Sequence, residues 1–407
     1  MKRILYIGLA LAIAACTHPK VEVVDFDTFQ VIDVKSSDVF LEDGSLNPEV
    51  QLMEDPNLPD GEDTKVARVD AATISRNLLG IINSNKVIQI AGTFNGHDVD
   101  NITPLRQSGK LIIPAEGPIK NLVLVSHYTI GANFEAPSET FPLEGIIAAK
   151  GYAVAIADYI GYGITADRIH PYMHTRSTAQ SVVDMAVAVK PYLEHIGRAP
   201  ESEKVILVGY SQGGSTTLAV MNTLQQGYAN TFPIEKVYAG GGPYDLAATY
   251  DVSMEMDKTG IPCAIPMIVQ GVNEGEKLGL KMEDFFQGSL LDHYKDWINS
   301  KDYTVAQINL LIGSSYLSKI MTEKGRDKTS GETAKLYKAL LKNSVLNFTP
   351  QAPIYMFHSR EDQTVPFENA IRAENYFKLN DIRFNFGDYG KHSLGCVRFV
   401  LLVYNEI

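Results

Sequence analysis

Short apolar runs alternate with amphipathic stretches along most of the chain, and their lengths separate strands from helices. Leu122-Val123-Leu124-Val125-Ser126, Tyr152 to Ala157, Lys204 to Val208, Lys236 to Gly240 and Ala352 to Ser359 are runs of strand length, rich in β-branched or aromatic residues, as strands buried on both faces require. Lys86 to Ala91 and Lys110 to Ile113 predict opening antiparallel strands, and Arg383 to Phe386 a last one. Helical spacing marks Thr175 to His195, where Val182, Val183, Met185, Ala186 and Val189 share a face and Pro191 is expected to interrupt the end. Ala71 to Asn83, Ser215 to Thr223 and Leu394 to Tyr404 also suit helices. Strands alternating with helices predict an α/β fold with a mostly parallel central sheet flanked by helices.

Two regions depart from that rhythm. Between Gly240 and Ala352 lie roughly a hundred residues, where an α/β connection usually takes about 2 to 6. This excess predicts a largely helical cap over about 246–347, inserted before the acid-bearing strand, with helices near Ser289 to Ser300, Thr304 to Ile320 and Glu332 to Lys342 and the sole tryptophan, Trp297. Val21 to Val69 is acidic, rich in Pro and Asn and lacks a period, which suits a spacer or N-terminal wrap over 16–70 ahead of a domain at 71–407.

The chemistry concentrates at Gly209-Tyr210-Ser211-Gln212-Gly213, between a strand run and a helix pattern. A serine on so sharp a turn stands exposed above the strand end, and glycine two positions either side removes side chains that would collide with the neighbouring strand and helix. Ser211 is thus the candidate nucleophile of a serine hydrolase. An acid and a histidine follow in the expected order: Asp362 in the polar loop after the strand ending at Ser359, and His392 in the loop after the last strand. The imidazole would take the serine proton and return it to the leaving group, while the carboxylate holds its tautomer. Glu361 rivals Asp362 for the acid; His358 and His293 rival His392, but one lies in a strand and the other in the cap. The oxyanion hole needs two backbone donors, one from Gln212 and one after the strand Leu122 to Ser126, where Thr129 is favoured and Tyr128 is next. Nearby His127 and Tyr159 are candidates for positioning substrate.

Together with His127-Tyr128-Thr129, Ala157 to Gly163 and His170-Pro171-Tyr172, these residues resemble the α/β-hydrolase superfamily, in particular the secreted lipase and esterase group of bacteria and fungi. The resemblance runs from about Ser84 to the C-terminus and implies hydrolysis of carboxylic esters of small-molecule, lipid or carbohydrate type, without cofactor or metal. One position departs: where such relatives carry His-Gly-Thr, this chain has Tyr128. The alternatives are a peptidase of the same fold, and, from another class, a non-catalytic surface binding lipoprotein.

A net charge of −12 without a basic block argues against nucleic acid as a partner, because phosphate neutralisation needs a basic face. Lys2 and Arg3 precede an apolar run, Ile4 to Ala15, shorter than the about 20 residues of a membrane span, and so predict a secretory signal over 1–15. Its end, Leu11 to Cys16, resembles a bacterial lipobox. That resemblance implies acylation of Cys16, a membrane anchor and, in a Gram-negative cell, outer-membrane sorting; an ordinary signal cut near Ala15 is the alternative. Cys263 and Cys396 remain as expected apolar fillers, with a bridge between them in an oxidising compartment as the alternative. His170 and His174 are four apart, but Pro171 and the absence of an accompanying acidic set point to packing rather than metal.

Overall fold

The computed structural model describes residues 25–54, 86–378 and 382–407. The expected signal, Cys16 and the expected helix Ala71 to Asn83 lie outside them. Its main sheet contains Phe29–Asp38 (β1), Lys86–His97 (β3), Pro104–Pro114 (β4), Leu122–Ser126 (β5), Ala153–Ala157 (β7), Val205–Tyr210 (β8), Ile234–Gly240 (β9), Ile354–Ser359 (β10) and Ile382–Gly387 (β11). Two-residue strands Val50–Gln51 (β2) and Phe141–Pro142 (β6) pair separately. The order in the main sheet is β1-β3-β4-β7-β5-β8-β9-β10-β11. β1, β3, β4 and β7 pair antiparallel; from β7 through β11 every pairing is parallel.

The central strands explain their own composition. Every residue of β5, β7 and β8 is buried, and successive side chains alternate between the two faces. Leu122, Leu124, Val205 and Leu207 join one hydrophobic core, while Val123, Val125, Ile206 and Val208 join the other. The helices Thr175–His195 and Gln212–Gly227 supply Val182, Val189, Leu218 and Met221 to the first core. The 3-10 helix Leu143–Lys150 and the C-terminal helix His392–Glu406 supply Ile146, Ile147, Val397 and Val403 to the second.

Three departures from the sequence pattern have physical causes. Residues 29–38, within the stretch expected to be a spacer or wrap, form the edge strand β1; most of their side chains are exposed, so no apolar alternation marks them. β3 and β4 continue well beyond their apolar runs because ladder pairing carries polar partners such as Thr93 with Ser108 and Asn95 with Arg106. The helix Thr175–His195 runs through Pro191. Val187, whose carbonyl would otherwise bond the residue at 191, is exposed, so water can serve that acceptor.

The helical insertion between β9 and β10 has a core of its own, built on residues such as Phe285, Phe286, Ile308 and Leu336, with Trp297 packed against it. Expected helices appear as Gly288–Tyr294 with a π turn at Lys295–Asn299, as Val305–Ile312 and Leu317–Ile320, and as Gly331–Asn343. Thr304 starts one of them with a reciprocal cap: its hydroxyl accepts from Gln307 N at 3.3 Å, and Gln307 Oε1 accepts from Thr304 N at 2.9 Å. Leu246–Met256 and Ala264–Glu276 are further helices of this insertion.

Glu144 is one of two buried carboxyls, with Glu135, that burial pushes up to about 7 and that should shape stability between mildly acidic and neutral pH. Glu144 is fully buried and neither side-chain oxygen has a hydrogen-bond partner among the described residues. Burial pushes its carboxyl up to about 7. The folded protein therefore holds this proton over a range where the unfolded chain has lost it. The contribution is fully present below the unfolded carboxyl value and is lost as pH rises toward about 7. Glu144→Gln should reduce that slope and raise stability at pH 8 by about 3 kcal/mol, at about 1.4 kcal/mol per unit. Urea unfolding at pH 5 and pH 8 checks this; an unchanged difference between the two would refute it.

Candidate active site

Ser211 sits where β8 ends and the helix Gln212–Gly227 begins, with φ 59° and ψ −125°. Such a conformation costs a non-glycine residue about 1 to 3 kcal/mol and persists only where the surroundings impose it. They do so here: Ser211 N donates to Gly240 O at 2.9 Å, and Gly214 N donates to Ser211 O at 2.9 Å. A Cβ at Gly209 would lie 2.3 Å from Gly213 O, and one at Gly213 would lie 1.9 Å from Ser126 O. The two glycines thus let the strand, the turn and the end of β5 occupy the same small space.

Three residues distant in sequence converge on this turn. Ser211 Oγ lies 2.8 Å from His392 Nε2, and His392 Nδ1 lies 2.5 Å from Asp362 Oδ2. The carboxylate on Nδ1 places the proton there, which leaves Nε2 as acceptor for the serine hydroxyl. Asp362 Oδ1 accepts from the Thr364 and Val365 amides at 2.9 Å each. Burial alone would raise the Asp362 carboxyl, but the facing His392, its hydrogen bond, His358 and the Val365 amide together hold it below the usual range.

The rivals for these positions have other duties. Glu361 Oε2 accepts from Gly390 N at 2.6 Å and Ser359 Oγ donates to Gly390 O at 2.6 Å, so both tie the histidine loop to the end of β10. His358 is buried behind the acid: its Nε2 donates to Val365 O at 3.1 Å and lies 3.6 Å from Asp362 Oδ2. His293 is in the insertion, stacked on Trp297. Tyr210 was not singled out in the sequence, yet its hydroxyl donates to the His392 carbonyl at 3.0 Å. Only its place inside the Gly209–Gly213 motif could have drawn attention to it.

Beside the serine, the segment after β5 and the loop after β7 form one buried polar and aromatic assembly. His127 stacks on Tyr159 with ring centroids 3.9 Å apart, and its two nitrogens face Tyr128 O at 2.6 Å and Asp158 O at 3.3 Å. Burial lowers the His127 imidazole to about 4. Tyr159 is 1% exposed and its hydroxyl lies 3.4 Å from His127 O. Both residues therefore lie behind the loop that would carry the oxyanion donor, where they support its backbone. The Tyr128 ring turns into the second hydrophobic core. Thr129 Oγ1 lies 2.7 Å from Tyr172 Oη, and Tyr162 Oη donates to Ile130 O at 2.6 Å.

His170, expected only to pack, joins this assembly to the residue after the nucleophile. Its Nδ1 faces Ile160 O at 2.7 Å and its Nε2 lies 3.0 Å from Gln212 Nε2. A carbonyl partner puts the proton on Nδ1, so Nε2 accepts from the Gln212 amide. Burial, reduced only partly by the Ile160 carbonyl, lowers His170 to about 3 and keeps it neutral. His174 instead faces Ser177 Oγ at 2.8 Å. No set of three or more His, Cys, Asp or Glu with metal-binding geometry occurs among the described residues. Cys263 and Cys396 are free and buried.

Residues 138–388 match the secretory lipase family. The chain belongs to that family. The matched stretch contains Ser211 and Asp362 and ends ahead of His392, so the histidine is located by its geometry. A secreted triacylglycerol lipase of Malassezia furfur is 23% identical over 263 residues, 63% of this chain and half the length of that relative. The rice cell wall degrading esterase LipA of Xanthomonas oryzae superimposes with a TM-score of 0.72 at 22% identity, over 83% of this chain and 94% of the esterase. Candida antarctica lipase A gives 0.53 at 17% identity, over 77% and 76%. These likenesses identify the α/β-hydrolase fold.

Proposed function

We propose that this secretory lipase hydrolyses carboxylic esters, lipid esters among them, through an acyl-enzyme. The observation that carries the reading is the continuous Ser211, His392, Asp362 chain at 2.8 and 2.5 Å. Ser211 Oγ attacks the ester carbonyl as His392 Nε2 takes its proton, and Asp362 stabilises the imidazolium. The tetrahedral oxyanion receives N–H bonds from Gln212 and from the segment after β5, with Thr129 the favoured donor. Collapse expels the alcohol, which takes the proton back from His392. Water then repeats the sequence on the acyl-serine and releases the acid. Family membership and the esterase-like fold support ester chemistry. Turnover of p-nitrophenyl esters from acetate to palmitate, lost on replacing Ser211, tests it.

The helices at about 246–347 act in this reading as a cap, docked through contacts such as Asn133 N donating to Lys301 O at 2.8 Å. They would exclude water and shape the acyl or alcohol pocket. Export fits the family and the apolar run Ile4 to Ala15. Acylation of Cys16 would then anchor the enzyme to the cell envelope, since several acyl chains, at about 0.8 kcal/mol per buried methylene, hold where one does not. Expressed in a bacterium fed radiolabelled palmitate, the full chain should take up label and partition with membranes, and Cys16→Ser should do neither. Unlabelled, freely soluble wild type would remove the anchor from the reading.

A further inference from the structure

Between the loop after β5 and the helical insertion lies a cavity lined by apolar Met267, Ile298 and Ile308, the ring of Tyr162, and the polar side chains of Gln270, Asn299 and Lys301. His170 and Tyr172, which contact Gln212 and Thr129, form another part of its wall. One layer of side chains, His170 and Tyr172, thus separates the cavity from Gln212 and Thr129.

Two of its polar side chains, Lys301 and Gln270, carry donors without acceptors. Lys301 is only 5% exposed, yet among the described residues its Nζ forms neither an ion pair nor a hydrogen bond; it stands 5.4 Å from the Tyr162 ring centroid. A cation on an aromatic face replaces part of its lost hydration but leaves its charge unneutralised. Burial accordingly pulls its ammonium down to about 8, and the same charge is felt by His170. Gln270 is also buried, with its side-chain nitrogen unpartnered. Lys301 is held at φ 61°, a backbone conformation that glycine or asparagine adopts with less strain. A lysine placed there gives a buried cation next to an amide donor inside apolar walls. Triacylglycerols, being neutral, would leave that cation uncompensated.

We propose that this cavity is a subsite for a free carboxylate carried by the ester substrate, bound by Lys301 Nζ and the Gln270 side-chain amide beside the apolar Met267, Ile298 and Ile308. This rests on the ester hydrolase reading and narrows it to esters bearing a second, ionised acid group, such as hemiesters of dicarboxylic acids. The carboxylate supplies the acceptor oxygens and negative charge that both donors lack, and desolvated charge-assisted hydrogen bonds are the strong ones.

The test compares p-nitrophenyl hemiesters of adipic, suberic and sebacic acids with hexanoate, octanoate and decanoate esters of matching length, using wild type, Lys301→Met and Gln270→Leu. At one length or more, wild type should favour the hemiester in kcat/KM by about tenfold, the scale of a charged hydrogen bond. Lys301→Met should abolish the preference while neutral-ester rates stay within about twofold, and Gln270→Leu should reduce it. Calorimetry of adipate and hexanoate on Ser211→Ala, with and without Lys301→Met, reads the same donors without turnover. Lysine-dependent binding of free carboxylates without a hemiester preference would overturn the substrate assignment and give the donors to a product or effector. Neither preference nor binding would overturn the subsite altogether. Binding that persists in a protein that hydrolyses no neutral ester would instead remove the esterase reading and keep the carboxylate site.

Discussion

Ser211→Ala should lower kcat on p-nitrophenyl butyrate by about 10⁵ to 10⁶ and leave a residual rate about 10³ to 10⁴ above the uncatalysed reaction. The size follows from the arrangement. Without Oγ there is no nucleophile for His392 to deprotonate, and what remains is binding and oxyanion stabilisation of direct attack by water. His392→Ala should cost a similar factor, and the double variant little more than either alone, because the two act on one proton transfer. Asp362→Asn should cost about 10⁴, since an amide can present an N–H to Nδ1 and favour the wrong tautomer. A fluorophosphonate should label wild type once per chain and leave Ser211→Ala unlabelled. Equal ester rates for wild type and Ser211→Ala would sink the catalytic reading for esters. Labelling without ester turnover would move the substrate to peptides.

What could be read from the sequence was set by how locally each feature is determined. β5 and β8 are buried on both faces, so their composition alone marks them, and the Gly209–Gly213 turn carries its steric reason within five residues. Asp362 was legible as a candidate because it follows the mostly buried β10, and His392 because the half-buried β11 alternates apolar Ile382, Phe384 and Phe386 with polar Arg383 and Asn385. β1 was not, because an edge strand with a solvated face shows no alternation. The helix Ala264–Glu276 was hidden by Pro266 and by two glycines that discourage a helical reading. In the fold, a Cβ at Gly271 would lie 2.1 Å from Tyr172 N, so that glycine serves the close approach of two segments about a hundred residues apart. The same limit explains the roles found for Glu361, His358 and His170. Glu361 and His170 depend on partners far off in the chain, Gly390 and Gln212, and His358 on the turn that brings Val365 back beside it, and no local pattern encodes such pairings.

Gly213→Ala should be among the most damaging single-methyl additions in the protein, with a stability loss of about 3 kcal/mol or more, at the upper end of the range for overpacking. The added Cβ would stand 1.9 Å from Ser126 O and 2.9 Å from His127 O. Both obstacles are backbone atoms, so no side-chain rotation relieves the contact. Ser126 is also paired to Gly209 at the end of the β5 and β8 ladder, which prevents it from moving away alone. Relief therefore requires the start of the Gln212 helix or the segment His127 to Thr129 to shift, and both carry proposed oxyanion donors. Activity per folded molecule should fall by about 10² or more, as it does when one such donor is displaced. Gly227→Ala is the control: among the described residues no atom outside its own helix turn lies within 4 Å of the added methyl, and its φ is outside the left-handed range. At the end of the same helix it should be neutral or stabilise by up to about 1 kcal/mol through the unfolded chain. Urea midpoints and kcat on butyrate separate the two effects. A Gly213→Ala protein with wild-type midpoint and rate would mean that the turn is not held against β5 as the structure describes, and would weaken the placement of Gln212 at the oxyanion with it.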